Sequence, residues 1–170
     1  MSRSLERLVL DNLPLETDDG CAQVGMLFSG LLRLRQLEVG MDLRGREDKP
    51  IPQLAELPPG LTRLRLRADF GEERDLICLA GLLRMAGRAC PGLQVLELHL
   101  ACDKALELKP AALGHMLGQL TGLTRLELLL KSVRITPQDM NAGAEAELEL
   151  AEQLKPIMRH LGWLSIAYAT

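Results

Sequence analysis

The 170 residues predict a single α/β unit of about six short parallel strands, joined by helical or irregular returns on one side. Three observations predict it. The pattern L-x-x-L-x-L comes back six times along the chain. The gaps between copies carry apolar stripes at helical spacing. Leucine supplies 39 residues, while Phe, Trp and Tyr are two, one and one. A core of leucine rather than aromatics suits stacked layers of equal, modest volume.

The copies read LERLVL from Leu5, LRQLEV from Leu34, LTRLRL from Leu61, LQVLEL from Leu93, LTRLEL from Leu123 and LGWLSI from Leu161. Their starts lie 29, 27, 32, 30 and 38 residues apart. The fourth and sixth positions are two residues apart and share one face of a strand. Leu8/Leu10, Leu37/Val39, Leu64/Leu66, Leu96/Leu98, Leu126/Leu128 and Leu164/Ile166 should therefore point inward. The third, fifth and seventh positions should point out to an open face. Parallel neighbours of this kind need a crossover between every pair.

The returns fit that need in order. In the first, Val24, Leu27, Phe28 and Leu31 form a helical stripe. The second, IPQLAELPPG, holds three prolines in ten residues, so an irregular or short 3₁₀ crossing is expected. The third has Leu76, Leu79 and Leu83 in a stripe, with Arg84 and Arg88 toward the end where cations suit the helix dipole. The fourth has Leu113, Met116, Leu117 and Leu120, opened by Pro110. In the fifth, Thr136-Pro137-Gln138-Asp139 reads as a helix cap, with the helix running toward His160 past Pro156. Gly60, Gly92 and Gly122 each stand directly before a first-position leucine, as turn glycines would.

These residues resemble the leucine-rich repeat family over nearly the whole chain. The spacing and helical returns look like the ribonuclease-inhibitor-like or cysteine-containing subclasses. The stretch Cys90-Pro91-Gly92-Leu93-Gln94-Val95-Leu96-Glu97-Leu98 is similar to the repeat start of F-box-associated leucine-rich proteins. The resemblance implies a right-handed α/β horseshoe segment with its returns on the convex side. It implies one domain over 1–170, with a piece of a longer array as the alternative. The subclass places cysteine or asparagine three residues after the sixth position. Here Leu13, Asp42, Asp69, Ala101, Lys131 and Ala169 stand there. No F-box sequence is visible.

Composition narrows the function. Net charge is -3, basic residues are mixed with acids, and aromatics for base stacking are nearly absent, so no nucleic-acid partner is expected. No apolar stretch is long enough for a membrane span, and MSRSLERLVL lacks a signal-peptide layout. The cytoplasm is the expected location, with the nucleus as the alternative. Cys21, Cys78, Cys90 and Cys102 form no CxxC pair, so buried thiols are expected rather than a zinc site. No metal and no cofactor are expected.

Specificity should then sit on the outward columns. The third-position column is Arg7, Gln36, Arg63, Val95, Arg125 and Trp163. The fifth is Val9, Glu38, Arg65, Glu97, Glu127 and Ser165, and the next is Asp11, Gly40, Arg67, His99, Leu129 and Ala167. Arg63, Arg65 and Arg67 make a basic stripe on the third strand, with Glu38 and Glu97 on either side of Arg65. Opposite charges in one column can pair across strands. The same residues, with His99, Arg125, Glu127 and the outward Trp163, are the candidate contacts for a protein partner, since Arg and Trp are favoured anchors. The expected role is a non-catalytic protein–protein interaction module. Substrate recognition in an F-box or ubiquitin-ligase-type complex is a second reading, carried by the Cys90-to-Leu98 resemblance. An enzyme built on His99 with Cys102 or Asp69 is a third, and no nucleophile, phosphate-loop or metal motif supports it. The acids Glu145, Glu147, Glu149 and Glu152 read as a solvated face. Neither end shows a polar cap, which leaves self-association open.

Overall fold

The computed structural model describes residues 5–11, 26–28, 30–45, 57–136, 148, 151–152, 154–155 and 160–169. Within these residues the chain is α/β. Strands β1 (Arg7–Leu10), β2 (Gln36–Asp42), β3 (Arg63–Phe70), β4 (Val95–Leu108), β5 (Arg125–Ile135) and β6 (Trp163–Ala169) form one open sheet. They lie in chain order, and every pairing is parallel.

The register sets the six motifs side by side. Arg7, Gln36, Arg63, Val95, Arg125 and Trp163 align in one row across the sheet. A latch repeated at each junction holds this row. The carbonyl of Glu6 accepts the N–H groups of both Arg35 and Gln36 at 2.9 Å. The carbonyls of Arg35, Thr62, Gln94 and Thr124 do the same for the next strand in turn. The Thr62 and Thr124 hydroxyls add a bond to the carbonyls of Arg35 and Gln94. Just upstream, a tight turn takes the N–H of Leu34, Leu61, Leu93 and Leu123 to the carbonyl three residues back.

Helix α1 (Leu76–Ala89) follows β3, and α2 (Pro110–Leu117) follows β4. The α1 stripe buries Leu76, Cys78, Leu79, Leu82, Leu83 and Ala86. Its entry is a 3₁₀ turn, Glu73–Asp75, where the Asp75 carboxylate accepts the N–H groups of Gly71 and Glu72 at 2.9 and 3.2 Å. Pro110 opens α2, where its missing N–H leaves no helical bond unmade. Gly87 lets α1 approach the turn after α2: a β-carbon there would lie 2.6 Å from the Gln119 carbonyl oxygen. In the first return Met26–Phe28 is helical, with Phe28 fully buried. The proline-rich second return falls almost wholly outside the described residues, as do Pro137, Gln138, Asp139, Pro156 and Cys21.

The inward positions of β2 to β5 make the core. Leu37, Val39, Leu64, Leu66, Leu96, Leu98, Leu126 and Leu128 are all buried, under the leucines of α1 and α2. On the outer strands, Leu8, Leu10, Leu164 and Ile166 are half-buried against that core. Burying one such side chain is worth about 2 kcal/mol.

Two strands outrun the expected short length. β4 has 14 residues and β5 has 11. Their pairing breaks after Ala101↔Lys131 and resumes at Leu106↔Val133. The shift is taken up by the longer β4 segment and by Ser132, which adopts φ 57. Beyond it Leu108, Val133 and Ile135 are buried. The alternations Leu106-Glu107-Leu108 and Val133-Arg134-Ile135 are the period-2 signal for this extension.

Candidate functional site

The helices take one side of the sheet, and the outward columns lie on the other. The central row holds Glu38, Arg65 and Glu97 directly opposite one another on β2, β3 and β4. Arg65 pairs with both acids, reaching Glu38 at 3.6 Å and binding Glu97 through Nε and Nη2. Arg63 binds Glu97 from the row above, with Nε 2.8 Å from Oε1. Arg67 binds Glu38 from the row below and lies 3.8 Å from Asp11. The expected charge ladder is therefore present, and it is a cluster of six side chains rather than a set of separate pairs.

The cluster is layered. The Glu97 and Glu38 side chains are 1% and 11% exposed. Those of Arg63, Arg65 and Arg67 are 45%, 31% and 49% exposed. The short acids lie at the sheet surface, and the longer arginines fold over them. Burial alone would raise the Glu97 carboxyl, but hydrogen bonds and charge from Arg63 and Arg65 outweigh it and hold the group below its usual value.

The remaining site residues surround this cluster. His99 lies beside Arg67 in register, with Leu129 on its other side. Burial, then the charges of Arg65 and Arg67, push its imidazole pKa down. Glu127 sits opposite Glu97, yet turns to Arg125 on its own strand, whose Nε is 2.6 Å away. The Arg125 guanidinium lies 5.5 Å from the ring centre of Trp163, within cation–π range. Trp163 is 55% exposed at the row's end.

Cys102 does not join His99. Three residues apart on one strand, the two side chains fall on opposite faces. Cys102 is buried with its thiol donating to the Gly71 carbonyl at 3.6 Å. Cys90 is likewise buried, donates to the Pro58 carbonyl at 3.3 Å, and has its pKa pushed up to about 11 by burial. Asp69 is exposed. Among the described residues no group of three or more His, Cys, Asp or Glu side chains is arranged to hold a metal ion.

Two members of the face escaped selection from the sequence. Arg7 and Gln36 line a shallow pocket of about 90 Å³ with Leu37, Glu38, Arg63 and Arg65. Both stand in the third-position column with Arg63 and Arg125, which was the available signal. A second polar cluster lies past the motif, where Arg44 binds Asp42 through Nε at 2.8 Å and lies 3.5 Å from Asp103.

Comparison with family models, curated proteins and solved structures finds no match for this chain.

Proposed function

We propose that this chain is a horseshoe segment of the leucine-rich-repeat kind that binds a protein partner through its open sheet face, without catalysis. The observation that carries the reading is that face itself. It is left bare by both helices and bears pre-oriented arginines around a buried acidic pair, flanked by exposed Val9 and Trp163. Arginine held in place loses little entropy on binding, and an aromatic at the margin adds apolar contact area. The six L-x-x-L-x-L copies, the strand order and the shared register support the horseshoe reading.

The intracellular setting is part of the same proposal. It is supported by Cys90 and Cys102, buried thiols outside any disulfide, which suit a reducing compartment. Among the described residues no helix is long and apolar enough to cross a membrane.

Affinity capture with two variants tests the reading. One carries Val9→Asp and Arg67→Glu on the open face, and the other carries Arg84→Glu and Arg88→Glu on exposed positions of α1. Both are first shown to be folded by circular dichroism. Loss of the captured proteins by the open-face variant alone is expected. Loss by the helix-side variant alone would sink the proposal.

A further inference from the structure

The three outward columns of the open face hold five arginines against four acids, and the two signs differ further in exposure. Glu38 and Glu97 are sunk, and the half-exposed guanidiniums above them form the outer layer. The strand-entry row carries this furthest. It holds Arg7, Arg63 and Arg125 on β1, β3 and β5, and no acid: its other members are Gln36, Val95 and Trp163. Arg7 makes no ion pair among the described residues, and Arg63 commits only Nε and Nη2 to Glu97. Both therefore keep N–H donors for a ligand, and Arg125, held by Glu127 through Nε and Nη2, keeps those of Nη1.

The spacing is regular. Alternate strands of a sheet are about 9.6 Å apart, so three arginines on β1, β3 and β5 span about 19 Å. Between Arg7 and Arg63 lies the pocket of about 90 Å³, lined also by Gln36, Leu37, Arg65 and Glu38, whose carboxylate is already held by Arg65 and Arg67. The pocket has about three waters' share of liquid volume, enough for a carboxylate.

We infer that this row binds an acidic α-helix of a protein partner, laid across the strands with carboxylates seven residues apart over Arg7, Arg63 and Arg125. The inference rests on the reading that the open face binds protein, and it adds the partner's chemistry. Seven helical residues make nearly two turns and advance about 10.5 Å, returning to the same face. Fourteen advance about 21 Å, a mismatch of about 2 Å over the full span that long arginine side chains absorb. An extended peptide does not fit: its same-face side chains fall at multiples of about 6.7 Å. Val95 and Trp163, the apolar members of the row, would meet apolar residues about three further along the helix from the second and third acids.

The test uses the full chain and a synthetic helix with Glu at i, i+7 and i+14 and Leu at i+10 and i+17. Its comparison peptide has the same composition, with Glu at i, i+5 and i+10 scattered around the helix. Calorimetry at low salt reads the affinities. The first peptide is expected to bind at least tenfold tighter than the second. Arg7→Gln and Arg125→Gln should each weaken it roughly tenfold, as loss of a charge-assisted bond does. Arg84→Gln with Arg88→Gln should leave it unchanged. Equal binding of the two peptides overturns the assignment, as does tighter binding of a single-stranded oligonucleotide through the same arginines. If open-face variants block partner capture while Arg7→Gln and Arg125→Gln leave the peptide affinity alone, the acidic helix falls and the interaction reading stands.

Discussion

On the helix side of the sheet, β2 to β5 present Leu37/Val39, Leu64/Leu66, Leu96/Leu98 and Leu126/Leu128, nearly the same pair four times. On the open side the same strands present Gln36/Glu38, Arg63/Arg65, Val95/Glu97 and Arg125/Glu127, no two alike. The buried side must fill equal layers, so its residues are interchangeable in kind. The open side has no such volume constraint, yet Glu97 is as buried as a core residue and Glu38 nearly so. Burial on this protein is thus reached by two routes: apolar packing below the sheet, and coverage by arginines above it.

The sharpest break of this comparison uses neighbours on β4. Leu96→Ala removes a fully buried side chain and should cost about 3 kcal/mol in urea unfolding. Val95→Ala, one residue away on the open face, should cost under about 0.5 kcal/mol. Similar losses from the two would deny that the faces differ.

Glu97 tests whether the cluster behaves as core. Glu97→Ala should destabilise by about 2 kcal/mol, because Arg63 and Arg65 lose their shared partner, although both can recover water. Glu127→Ala removes a more exposed pair and should cost under about 1 kcal/mol. The Glu97 carboxyl is held below its usual value, so its contribution is whole above about pH 4.3, the unfolded-chain figure. It should fade as pH falls through the folded value beneath. Glu97→Gln should flatten that part of the acid unfolding curve.

The smallest effect belongs to His99, whose imidazole pKa is pushed down by burial and by Arg65 and Arg67. The fold favours its neutral form. Its contribution is therefore complete above about pH 6.5, the unfolded value, and declines as pH drops toward the lower folded value. The urea midpoint should fall between pH 7.5 and 5.5, and His99→Gln should remove part of that fall. An identical slope in the variant would mean that neither burial nor the arginines favour the neutral imidazole of His99.

Much of the architecture was legible because period-2 alternation and the spacing of the copies are local properties. The leucine positions, the parallel order, α1 from its stripe and α2 from Pro110 all follow from residues close in sequence. The length of β4 and β5 was not, because the shift between Ala101 and Leu106 depends on which partner residues meet. Within the site, column neighbours such as Glu38, Arg65 and Glu97 could be read directly from the register. The diagonal pairs Arg63 with Glu97 and Arg67 with Glu38 could not, because they depend on how each guanidinium bends.

The sequence by itself determined which residues face the core and which share a row, because strand geometry makes both a matter of counting. Only the tertiary structure decided that the acids are buried and the arginines outermost. That order arises from side-chain length over a packed sheet, where a short carboxylate stays low and a guanidinium on a three-carbon stem closes above it.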